Sequence, residues 1–201
     1  MTQRIVLASS NPGKLREFGA LLGDSGLEVI PQASLGVNDA EETGLTFVEN
    51  ALSKARHAAQ VSGLPSLADD SGLCVDYLHG APGLYSARYS GGHGDAAANN
   101  TRLLGELEGV ATVQRGAFFI CVLVLLQHAD DPAPLIAEAR WHGRILTEGR
   151  GLRGFGYNPI FLPDGHEESV AEMDETLKNR LSHRGQALAK LRGRLSEFAH
   201  T

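Results

Sequence analysis

The chain has 201 residues, with 18 Lys and Arg against 24 Asp and Glu and a formal charge of −6 at pH 7. That length suits one domain, built as one or two lobes, and a hydrophobic fraction of 42% is globular rather than disordered. The acid excess argues against a nucleic acid polymer as partner, because sequence-independent binding relies on dense Lys and Arg against phosphates.

Residues 4–8 predict a short buried strand that stops at Ser9-Ser10-Asn11-Pro12-Gly13. A helix then begins, with Asn11 as N-cap, Pro12 as first helical residue, and Leu15, Phe18 and Leu22 on one apolar face. No secretory signal is expected at its N-terminal side, since only Ile5 to Ala8 are apolar before the break. Residues 27–30 predict a second strand and complete a β-α-β opening. Residues 39–44 form an acidic loop, and Thr46-Phe47-Val48-Glu49 has the spacing of a capping box. Phe47, Ala51, Ala55 and Ala58 carry that helix to Gly63-Leu64-Pro65. Residues 66–68 and 73–75 are short apolar segments on either side of Asp69-Asp70-Ser71-Gly72. Residues 80–94, ending in Gly91-Gly92-His93-Gly94, read as loop, and a helix is expected over 95–107.

Two long β-like runs, 117–127 and 135–145, predict an antiparallel hairpin. The longest apolar run, residues 117–126, is about half of the ~20 needed to cross a bilayer, so no membrane span is expected. Residues 149–157 are glycine-rich and predict a flexible or close-approach loop, with a short strand over 159–162. Ser182 can cap a last helix that buries Leu188, Leu191, Leu195 and Phe198. Cys74 and Cys121 form no C-x-x-C pair and read as buried reduced thiols. These features predict a cytoplasmic, mixed α/β protein with a central sheet, one domain over 1–201.

Four segments carry chemistry. Strand, then Ser9 to Lys14, then helix, presents unpaired N–H groups and a Lys to an anion, and suits an ordinary capped surface helix equally well. Asp69 and Asp70, with Glu41-Glu42 from another loop, can hold Mg²⁺ through oxygen ligands. Taken alone, Asp-Asp-Ser-Gly reads first as a hydrogen-bonded turn. Gly154-Phe155-Gly156-Tyr157-Asn158-Pro159 either presents a ring to a nucleobase or buries its aromatics in the core. Lys178, Ser182, His183 and Arg184 place donors near the last helix, where they meet phosphates or base carbonyls, or simply solvent.

In chain order, seven pieces together resemble the inosine triphosphate pyrophosphatase family, the non-canonical purine NTP pyrophosphatases of dITP/XTP type. They are Ser10-Asn11-Pro12-Gly13-Lys14 with Glu17; Glu41-Glu42; Thr46-Phe47 with Glu49-Asn50-Ala51 and Lys54-Ala55; Ala68 to Leu73; Pro82-Gly83 with Ser86-Ala87-Arg88-Tyr89; Gly154 to Tyr157; and Ser182-His183-Arg184. The resemblance implies an elongated two-lobed α/β fold around a long mixed sheet with flanking helices, the active site lying in the cleft between lobes. It implies a homodimer and Mg²⁺-dependent hydrolysis of dITP, ITP and XTP to monophosphate and pyrophosphate, clearing them from the nucleotide pool. By family role, Ser9, Ser10, Asn11, Pro12, Gly13, Lys14 and Lys54 would bind the triphosphate. Glu42, Asp69 and Asp70 would serve the metal, with Asp70 also the proton acceptor for the attacking water. Ser71, Phe155, Gly156, Tyr157, Asn158, Lys178, His183 and Arg184 would contact the rest of the nucleotide.

The chain departs from the family at Asn158, where Asp is usual; the amide both donates and accepts, whereas the carboxylate only accepts. Competing expectations are a Maf-like pyrophosphatase for other nucleotides, a nucleotide-binding sensor without turnover, and an RNA-binding module. The Phe-Gly-Tyr loop opposes the first, the retained Asp70, Glu42 and Lys14 the second, and the acid excess the third.

Overall fold

The structure is a computed structural model that describes residues 3–23, 26–92 and 94–198. His93 of the Gly-Gly-His-Gly segment lies outside them. Six strands form one sheet: β1 (Gln3–Ala8), β2 (Leu27–Pro31), β3 (Ser66–Val75), β4 (Gly116–Leu126), β5 (Leu135–Ile145) and β6 (Phe161–Pro163). Their order is β2-β1-β3-β4-β5-β6, with β1 parallel to both β2 and β3, and β5 antiparallel to β6. The α-helices are α1 (Pro12–Leu22), α2 (Phe47–Ser62), α3 (Ala96–Glu106), α4 (Glu175–Leu181), α5 (His183–Arg192) and α6 (Leu195–Phe198). The expected mixed α/β sheet with flanking helices is therefore present. None of the helices, among the described residues, is long and apolar enough to cross a membrane.

Local chemistry accounts for the helix starts. The Asn11 side chain accepts from Gly13 N at 2.9 Å and Lys14 N at 3.1 Å, and Pro12 occupies the first turn. At α2, Thr46 Oγ1 accepts from Glu49 N at 3.3 Å, while the Glu49 carboxylate reaches back to Leu45 N at 2.9 Å. The Thr46 hydroxyl, which donates to the Glu49 carboxylate at 2.8 Å, and then the Leu45 amide hold that carboxyl below its ordinary pKa. We expect Thr46→Ala to destabilise the chain by ~1 kcal/mol, read as a lower urea midpoint at unchanged slope.

The chain divides into two compact units. Unit 1 comprises residues 1–70, 121–139 and 184–201. Its core packs Ile5, Leu7, Phe18, Leu22, Leu67, Leu123 and Leu125 against Leu188, Leu191 and Phe198. Unit 2 comprises residues 71–120 and 140–183, with a core that includes Leu73, Leu103, Phe119, Trp141, Tyr157 and Phe161. Burial alternates strictly along β5, as expected of a strand with one covered face, and is nearly continuous along β3 and β4.

Three expectations are corrected. Residues 66–75 are one strand rather than two segments around a turn. β1 pairs with residues 66–68 of β3 and β4 is its other neighbour, so pairing within the sheet outweighs the turn preference of Asp-Asp-Ser-Gly. The last helix is interrupted at Gly193-Arg194, where glycine ends α5 and α6 follows; Leu188, Leu191 and Phe198 are still buried. The strand expected over 159–162 starts at Phe161, after a single turn of 3₁₀ helix. Missing from the expectations was α4, which Asp174 caps by accepting from Thr176 N and Leu177 N. Both cysteines are buried and free, and burial pushes their thiols up, as befits inert packing groups.

Candidate active site

Successive side chains of a strand point to opposite faces, so Asp69 and Asp70 serve different neighbours. Asp69 forms ion pairs with Lys14, from the first turn of α1, and with Arg184 of α5, the latter at 3.2 Å. Arg184 also pairs with Glu17, one turn along α1 from Lys14, and Cys121 Sγ lies 3.4 Å from Asp69 Oδ2. Asp69 and Arg184 are almost wholly buried. Burial alone would raise the Asp69 pKa, but the Lys14, Arg184 and Lys54 charges hold it well below the usual carboxylate range.

Asp70 looks the other way, toward α2. Its Oδ1 accepts from Lys54 Nζ at 2.7 Å, and its Oδ2 accepts from Asn50 Nδ2 at 3.4 Å. Lys54 Nζ also reaches Glu42 Oε1 at 3.0 Å. Asn50 and Lys54 are four residues apart, hence on one helical face. Burial pushes the Asp70 carboxyl up, only partly offset by Lys54, whereas Lys54 is raised because the charges of Asp70, Asp69 and Glu42 outweigh its own burial.

The loop that carries Glu41 and Glu42 is tied at both ends. Ser10 Oγ donates to Asp39 Oδ1 at 2.8 Å, and the Gln32 amide donates to both Ser10 and Asp39. At the other end Gly44 N donates to Asn50 Oδ1 at 2.8 Å. Ser9 is buried, with its Oγ accepting from Asn11 N at 3.2 Å. Unit 1 thus brings together Ser9 to Lys14, Glu42, Lys54, Asp69, Asp70 and Arg184.

Unit 2 holds the other expected residues. Phe155 is exposed and Tyr157 buried, so the loop fills the core with one ring and leaves the other at the surface. Lys178 Nζ sits 5.3 Å from the Phe155 ring centroid. Tyr157 OH donates to Ser86 O at 2.8 Å, and Asn100 Nδ2 donates to Gly156 O at 3.1 Å, fastening the loop from two sides. Asn158 is buried, its side-chain amide against Gly154, whose φ of +80° requires glycine. His183 stacks on Phe119, with ring centroids 4.9 Å apart. Ser71 is half-buried in β3.

Local sequence assigns no role to Glu17, Gln32, Asp39, Asn50 or Asn100, each of which bonds a remote segment. Asn50 carried a signal: it is a polar residue beside the buried Ala51, Ala55 and Ala58 of α2.

Lys14 and Lys54 thus pair with different members of two adjacent aspartates. Residues 5–194 match the Ham1 family. The chain belongs to the Ham1 family. Among its relatives, a protein of Xanthomonas campestris pv. campestris (strain 8004) named dITP/XTP pyrophosphatase is 58% identical over 193 residues, 96% of this chain and 97% of that protein. One of Ralstonia nicotianae with the same name is 56% identical over 199 residues, 98% of each. The solved structure of a HAM1 protein from Coxiella burnetii superposes with a TM-score of 0.90 at 49% identity, covering 97% of this chain and 99% of that one. The Ham1 assignment thus agrees with the resemblance drawn from seven motifs.

Proposed function

We propose that this Ham1 chain hydrolyses non-canonical purine nucleoside triphosphates, dITP, ITP and XTP, to the monophosphate and pyrophosphate. The observation that carries the reading is the convergence of Glu42 and Asp70 on one cation, Lys54 Nζ, at 3.0 and 2.7 Å. Two carboxylates aimed at a shared positive charge are a donor set of hard oxygens suited to Mg²⁺, which takes one or two protein carboxylates and otherwise waters and phosphates. Glu42 and Asp70 are the residues that would hold the ion. When bound, Mg²⁺ supplies charge neutralisation at the phosphates and a more acidic water.

The remaining roles belong to the chain itself. Asp70 accepts the proton of the water that attacks the α-phosphorus, so its other contacts must keep one carboxylate oxygen aimed. Lys14, Lys54 and the N-terminal end of the α1 dipole neutralise the leaving pyrophosphate. Asp69, counted with the metal in the sequence reading, faces Lys14 and Arg184 and is assigned to holding that lysine. Phe155, Lys178 and His183 are assigned to the base, with Gly156, Tyr157, Asn158 and Ser71 as loop and sugar contacts. Donors in that group favour the 6-oxo purines, since the 6-amino group of adenine would leave them unpaired. A homodimer forms part of the same reading.

The test is a panel of dITP, ITP, XTP and the canonical triphosphates with Mg²⁺, resolving the products. The expected result is monophosphate plus pyrophosphate, with kcat/KM for the 6-oxo substrates at least ~10²-fold above ATP. Diphosphate plus orthophosphate, or no turnover, overturns the reading.

A further inference from the structure

Asn50 is 2% exposed, and its two side-chain atoms reach two different elements. Gly44 N can only donate, so the atom it meets at 2.8 Å must be Oδ1. The amide orientation is thereby set, and Nδ2 faces Asp70 Oδ2 at 3.4 Å. Asp70 is held through both oxygens by one face of α2, Oδ1 by Lys54 and Oδ2 by Asn50. Gly44 follows Glu42 by two residues, so the same amide anchors the loop from which Glu42 projects. The fit leaves no room at Gly44, where a Cβ would lie 2.7 Å from both Asn50 Oδ1 and Glu49 Cβ.

The two struts differ in kind. Lys54 is a cation that a triphosphate attracts and a divalent ion repels, so its contacts change with what is bound. Asn50 is neutral and feels neither force strongly. It can keep the Asp70 carboxylate oriented while Lys54 changes partners.

We propose that Asn50 is a positioning residue that sets the Asp70 carboxylate and the Glu42 loop relative to each other for hydrolysis. The proposal rests on the roles assigned above to Asp70 and Glu42. Asn50→Asp keeps the acceptor for Gly44 N but replaces the donor toward Asp70 with an acceptor. It is expected to lower kcat on the order of 10²-fold, with KM within about threefold of wild type. Asn50→Ala removes both contacts and should weaken Mn²⁺ binding by the nucleotide-free protein on the order of tenfold, read by electron paramagnetic resonance. Gly44→Ala, which displaces Asn50 from the loop side, should lower kcat in the same direction.

Circular dichroism establishes which variants fold, and any folded one decides the matter. A folded Asn50→Asp or Gly44→Ala with kcat within about twofold of wild type overturns the proposal, as does a folded Asn50→Ala with unchanged Mn²⁺ affinity. A packing role alone would lower the melting temperature without separating kcat from KM. Asp70→Asn serves as reference: if it keeps full turnover, the assignment of Asp70 fails, whereas an inactive Asp70→Asn beside an unaffected Asn50→Asp removes this inference alone.

Discussion

Asp70→Asn lowers kcat for dITP or XTP by about 10²–10⁴-fold and leaves the protein folded, with stability at pH 7 equal to or above wild type. The loss of rate follows from removing the oxygen that accepts the proton of the attacking water. The stability result follows from the sign of the pKa shift. Burial raises the Asp70 pKa above its unfolded value, and Lys54 only partly offsets this. The contribution of the neutral acid is therefore full below the unfolded value of about 3.9, and is lost as pH rises through the folded one. At pH 7 the buried ion is a net cost that Asn does not carry. Urea titrations beside steady-state rates check both halves. A rate within tenfold of wild type removes Asp70 from the chemistry, and a large drop in stability contradicts the desolvation argument.

Its neighbour behaves in the opposite sense. Asp69→Asn is expected to destabilise the chain by about 3–5 kcal/mol at pH 7, because Arg184 stays buried with half its counter-charge gone and Lys14 loses its partner. The Asp69 pKa is depressed, so its contribution is present above the unfolded value of about 3.9 and is lost as pH falls toward the folded one. The gap between wild type and Asp69→Asn should therefore narrow from pH 7 to pH 3. Denaturant midpoints at several pH values make the measurement. A gap that stays constant, or one below ~1 kcal/mol at pH 7, would show that the Lys14–Asp69–Arg184 cluster does not stabilise the fold.

Much of this was legible from local chemistry. Asn11, Pro12, Thr46 and Glu49 announce two helix starts because caps act within four residues. The alternation of β5 and the apolar run of β4 likewise need no knowledge of distant chain. What escaped depends on contacts between remote segments. Asp69-Asp70-Ser71-Gly72 has turn chemistry, and only the flanking positions of β1 and β4 make it a strand. Arg184 reads as one more exposed donor until Glu17, 167 residues away, is placed against it. The role of Asn50 is invisible locally, because nothing near it in sequence shows that Gly44 and Asp70 are its partners. The motif order carried the family correctly, while the division of labour between adjacent aspartates had to come from the pleat.

That division makes the chain sensitive to length as well as to identity. A single-residue insertion or deletion in β3 ahead of the pair, if the ladder held its register upstream of the change, would exchange the two sides of the sheet on which the carboxylates emerge. The proton acceptor would then meet Lys14 and Arg184, and the structural anchor would meet Lys54 and Asn50. Both residues would remain present and side by side, and a tally of motifs would count the protein as intact. Parity along one strand, even or odd, is thus as much a part of this site as the side chains it displays.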